Sequence, residues 1–70
     1  MIKYELIKET YYNSKVYRAT IEGEHLSSDD ALGLLREAIG AKYYIGGRTQ
    51  RTEDGKAWKV EVEVSPNCFK

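Results

Sequence analysis

Residues 46–64 read GGRTQRTEDGKAWKVEVEV, and their second half decides the fold. Trp58, Val60, Val62 and Val64 alternate with Lys59, Glu61 and Glu63. That period of two marks a strand with one buried and one wet face. Asp54-Gly55, just upstream, is a strong hairpin turn signal. Folding residues 46–51 back across a two-residue turn, the preferred form, sets Arg48 against Glu61 and Gln50 against Lys59. Gly46 and Gly47 then lie opposite Glu63 and Val62, and paired glycines in such an arm predict a bulge or sharp coiling. A three-residue loop with Gly55 in a bulge would shift every pairing by one. The glycines do not read as a phosphate cradle. A P-loop follows a strand and opens a helix carrying Lys-Ser/Thr, and GxxxxGK[ST] is absent.

Upstream of this hairpin, HLSSDDALGLLREAIGAK is the one helical stretch. Ser27 is the expected N-cap, with Asp30 three residues on as a short capping-box acid. Asp29 and Asp30 suit the positive end of the helix dipole. Ala31, Leu34, Leu35, Ala38 and Ile39 form the expected apolar stripe, with Leu32 at its edge. Gly40 is the expected terminator. Gly33 lowers helix propensity by about 1 kcal/mol relative to Ala, which suggests close approach of helix to sheet at that point.

Further out, residues 2–12 alternate, residues 16–24 read as a second strand, and Asn13-Ser14 supplies a turn between them. A two-residue turn there pairs Tyr12 with Lys15, Glu9 with Arg18 and Leu6 with Ile21. Tyr4, Leu6, Thr10, Tyr17, Ala19 and Ile21 then share one face. Ile7, Tyr11, Val16 and Thr20 share the other, and Lys8 falls on the apolar side, where it must snorkel. The expected architecture is α+β, in the order β-β-α-β-β: a four-stranded antiparallel sheet with one helix packed on one face and the other face uncovered. Residues 1–66 make a single domain. Pro66 ends the last strand, and residues 67–70 read as a flexible C-terminal tail.

Composition bounds the function. Seventy residues bury a modest core, and one cysteine excludes an internal disulfide. One Cys and one His cannot complete a structural zinc site, so no metal or other cofactor is expected. Eleven basic residues balance eleven acidic ones, which removes generic attraction to nucleic acid or anionic lipid. The charged, alternating start has no signal-peptide pattern, and no apolar run is long enough for a membrane span. A free Cys with no secretion signal fits a cytoplasmic location.

Catalysis finds no constellation. Cys68 and His25 are far apart in the pattern, and Glu61 and Glu63 share a solvated strand face. Six tyrosines against one phenylalanine point instead to an interface, since Tyr buries large area yet keeps a polar handle. Three candidate surfaces follow. The open sheet face offers Ile7, Tyr11, Val16 and Thr20. A basic hairpin offers Lys42, Tyr43, Tyr44, Arg48, Arg51, Lys56 and Lys59. An acidic patch offers Glu22, Glu24, Asp29 and Asp30. The expected role is a small non-enzymatic protein-binding module. Its outline matches phage or mobile-element inhibitors that dock on a host enzyme or nucleic-acid-handling defence complex. The alternatives are nucleic-acid binding through the basic 42–59 hairpin and a structural homodimer.

Overall fold

The computed structural model describes residues 2–70. Its elements run β1 (Tyr4–Glu9), β2 (Lys15–Glu22), α1 (Ser28–Ile39), β3 (Gly46–Arg51) and β4 (Ala57–Val64). The four strands form one antiparallel sheet in the order β1-β2-β4-β3, with α1 on one face. The strand that decided the fold is therefore central, and it is flanked by β2 and β3. Val60 and Val62 are fully buried and pack with Ala19, Ile21, Ala31, Leu32 and Leu35.

The β3–β4 register is the one read from the sequence: Arg48 opposes Glu61, Gln50 opposes Lys59, and Gly46 and Gly47 oppose Glu63 and Val62. The turn itself is wider. The Thr52 amide donates to the Ala57 carbonyl at 3.0 Å, and the Gly55 amide to the Thr52 carbonyl at 2.9 Å. Adding one residue to each side of the loop leaves every pairing in phase, so the register survives. No bulge interrupts β3. Gly47 serves close packing: a Cβ there would meet Leu32 Cδ2 at 3.1 Å and the Tyr44 ring at 3.2 Å. Gly33, where the close approach was expected, has open space around it.

The first hairpin departs from its expected register. Tyr4 opposes Ala19 and Leu6 opposes Tyr17, and then the phase shifts so that Lys8 opposes Val16 and Glu9 opposes Lys15. The irregularity between Leu6 and Lys8 leaves Ile7 as an extra residue, a β-bulge. The bulge turns Lys8 onto the open face with Val16, which removes its conflict with the apolar side. Residues 10–14 form the turn. The Thr10 amide bonds to the Ser14 carbonyl at 2.8 Å, and Asn13 takes the left-handed conformation with φ 65°. Buried Ser14 braces this turn from below. Its hydroxyl touches Thr10 Oγ1 and donates to Glu63 Oε2 at 2.7 Å.

Ser27 caps α1, accepting from the Asp30 amide at 3.1 Å, and Gly40 at φ 83° ends it. The helix is rotated from its expected face: Leu32 is in the core and Ala38 is exposed. It lies mainly over β4, touches β3 and β2 about equally, and reaches β1 least. Every residue of β1 is consequently exposed. The closing residues are structured rather than forming the expected tail at 67–70. Pro66–Phe69 make a 3-10 turn that buries Cys68 against Ala41 and Val64, and the Lys42 amide donates to the Cys68 carbonyl at 2.6 Å. Among the described residues, no helix is long and apolar enough to cross a membrane.

Candidate interaction surface

The open face of the sheet is a lattice of charge. The strand pairings align Glu5, Arg18, Glu61 and Arg48 in one row across all four strands, so the sign alternates at each step. Arg18 donates to Glu5 at 2.9 Å. Thr20, Lys59 and Gln50 make the next row, and Val16, Glu63 and Gly46 the row on the other side. Ile7 and Val16 line a shallow concavity of about 450 Å³ with Lys8, Arg48 and Glu61. Ile7, Val16 and Thr20 therefore do lie on the open face. Tyr11 does not: it stands at the hairpin tip, and none of the six tyrosines falls in a row of this face. The expected apolar tyrosine patch on the bare side is absent because the turn consumes Tyr11 and Tyr12.

The basic hairpin is likewise dispersed. Arg48 and Lys59 sit on the open face, while Lys56 lies in the β3–β4 turn. Arg51 projects to the helix side and is fully engaged. Its guanidinium lies 5.0 Å above the Trp58 ring, donates to the Gly55 carbonyl at 3.0 Å, and also donates to the Glu24 carbonyl. Lys42, Tyr43 and Tyr44 belong to the loop at the other end of β3, where Tyr44 packs against the core. Stacking on single-stranded nucleic acid needs cations and rings in one groove, and this set is divided among the open face, the β3–β4 turn, the helix side and the loop before β3.

The acidic residues do gather. Glu22 ends β2, Glu24 follows it, and Asp29 and Asp30 open α1, all of them exposed. The β3–β4 turn joins them there, because Arg51 bridges that turn to Glu24 and Glu22 opposes Ala57. It adds Glu53 and Asp54, which the linear pattern had assigned to the basic hairpin. The Asp54 carboxylate accepts from the Thr52 hydroxyl at 2.6 Å and the Lys56 amide at 3.1 Å. These two bonds favour the charged form and hold its pKa below the ordinary value.

The opposite end is apolar and basic. Lys15 opposes Val64, Glu63 opposes Gly46, and Lys42 bonds to Cys68, so the β1–β2 tip, the 41–45 loop and the 3-10 turn share one end. Tyr11, Tyr12, Tyr43, Ile45 and Phe69 are all exposed there, with Lys15, Lys42 and Lys70. Tyr11 is 99% and Tyr12 87% exposed, their rings edge-to-face at 6.0 Å. Along β1, Tyr4 and Leu6 are exposed on the helix side and Ile7 on the open side. The signal available in the sequence was the Tyr11-Tyr12-Asn13 run: consecutive tyrosines next to a turn former sit at a tip more readily than in alternation. The chain matches no protein-family model, no curated protein and no solved structure.

Proposed function

We propose that this chain is a small non-enzymatic protein-binding module whose contact surface is the β1–β2 hairpin and the end of the domain from which it projects. The observation that carries this reading is the braced tip. Two tyrosines stand almost wholly in water on a turn held by a left-handed Asn13 and a buried Ser14 bonded to Glu63. Rigid, solvent-exposed aromatic rings lose little conformational entropy on docking and supply the large contact area of binding hot spots. The lysines at this end and the carboxylates at the other give a charge asymmetry that orients a partner without general stickiness. The acidic end would meet a basic rim, as an inhibitor docking on a nucleic-acid-handling enzyme requires.

The test is a photo-crosslinking residue placed at Tyr12 and, separately, at Gln50 on the open face, in cells that make the protein. Adducts to another polypeptide at position 12 and none at position 50 are expected. Adducts confined to position 50 would transfer the contact surface to the charged face and end this proposal.

A further inference from the structure

We infer that the first occupant of the β1 edge is a second copy of this chain, added antiparallel about a two-fold axis to give a continuous eight-stranded sheet. This inference rests on the reading of the β1–β2 hairpin as the contact surface and names its partner. Three observations carry it. β1 is an outer strand of the sheet, and α1, centred on β4, leaves Tyr4 and Leu6 exposed on the helix side, with Ile7 exposed on the other. A free strand edge presents unpaired backbone groups that can add a further strand; the bulge at Ile7 confines regular pairing to the segments on either side of it.

The second observation is self-complementarity. Opposing Glu5 to Lys8 across the two-fold axis places both on the open face and also opposes Tyr4 to Glu9, both on the helix side. The faces agree because each strand carries the same extra residue, and only the central Leu6–Ile7 step is out of phase. The contact forms twice, as two Glu5–Lys8 pairs. Among the described residues Lys8 has no ion-pair partner in its own chain, while Glu5 has one carboxylate oxygen beyond the one given to Arg18.

The third is the long axis. Pairing strands antiparallel lays the tyrosine-lysine end of one copy beside the acidic end of the other, and each molecule measures 35 × 20 × 18 Å. In this register Tyr11 of one copy is level with Ile2 of the other. A groove of about 820 Å³ opens there, bordered by Ile2, Tyr4, Ile21, Leu34 and Glu22, where β2 runs on past the start of β1. The exposed rings and the empty groove thus come into reach of each other.

A six-residue edge buries less than the roughly 1,200 Å² of a standard interface, so association at tens to hundreds of micromolar is expected. The experiment is sedimentation velocity on the full chain from about 5 to 500 μM, a range chosen to span that weak regime. Amide exchange of β1 is read at both extremes. A dimer should appear, with β1 amides more protected at high concentration. Lys8→Glu should weaken it about tenfold, and Glu5→Lys with Lys8→Glu together should restore it. Thermal melts confirm that each variant folds, and the amide exchange of the unmodified chain needs no variant. A monomer throughout, or a dimer whose β1 amides do not respond to concentration, overturns the inference. A monomer that still cross-links another protein through position 12 overturns it too, and leaves the binding-module reading standing.

Discussion

Two glycines of this chain respond oppositely to the same substitution. Gly33 lies within α1 with nothing within 4 Å of a built Cβ. Gly33→Ala should stabilise the protein by about 0.5–1 kcal/mol, through helix propensity and a less flexible unfolded chain. Gly47 faces Leu32 Cδ2 at 3.1 Å and Tyr44 Cε2 at 3.2 Å. Gly47→Ala gains the same unfolded-state term, but overpacking of about 1–3 kcal/mol outweighs it. Urea unfolding followed by Trp58 fluorescence should move the two midpoints in opposite directions, and parallel shifts would contradict the packing described. Ser14 is a third such position. Ser14→Ala leaves Glu63 without its hydroxyl donor at a part-buried site, and a loss of about 1–3 kcal/mol is expected in the same assay. Asp54 sets an acid limit on its turn. Its folded pKa is lowered by the Thr52 hydroxyl and the Lys56 amide, so its contribution is present above the unfolded pKa. That contribution is lost as pH falls through the folded value. The Lys56 amide resonance should shift in that acidic window, and Asp54→Asn should abolish the shift.

The two hairpins differ in how openly the sequence declares them. In the second, the run from Trp58 to Val64 and the Asp54-Gly55 turn act locally and agree, and the observed register is that of the two-residue reading rather than of a three-residue loop, which would shift every pairing by one. In the first, a bulge at Ile7 and the brace from Ser14 to Glu63 set the register. The brace joins residues far apart in sequence, and no local pattern encodes it. The faces of Tyr4, Leu6, Tyr17, Ala19 and Ile21 still came out right, because the true pairing near Tyr4 differs from the expected one by an even number of residues, and alternation has period two. The misplaced helix stripe has a related cause. Leu32 and Ala38 flank the periodic face, and the close approach of Leu32 to Gly47 of β3 brings Leu32 into the core. The closing 3-10 turn does carry local signals, Ser65 at its N-cap and Pro66 at its first position, but the burial of Cys68 against Ala41 and Val64 joins segments that no local pattern connects. Cys68 should accordingly resist a soluble thiol reagent in the native state and react at the unfolding rate in urea. Rapid labelling without denaturant would show that this turn opens independently.

Seen whole, the molecule concentrates what the sequence scattered. Residues from three separate segments form the acidic end, and the exposed rings of three others form the opposite end. That sorting depends on topology, since pairing β4 between β2 and β3 brings segments distant in sequence to the same end of the sheet. The charge sum of zero concealed it. The membership of the expected surfaces changes accordingly: Glu53 and Asp54 lie with the acidic residues, and Tyr11 leaves the sheet for the tip. A charge-reversed pair at one end, Lys15→Glu with Lys42→Glu, should slow association with any partner of the proposed kind several-fold at low ionic strength while leaving dissociation nearly unchanged. A kinetic series in salt, run on the captured partner, reads this directly. An effect confined to dissociation would mean that these lysines make buried contacts instead of steering.

Arg51 has a consequence for how the acidic end comes apart. One guanidinium is shared among the Trp58 ring, the carbonyl of Gly55 in one connection and that of Glu24 in another. The two connections are thus knotted by a single side chain, and neither can fray while the other holds. Their motions should rise together when that knot is cut, so that a lysine in its place, which lacks the planar fork, would loosen both loops at once.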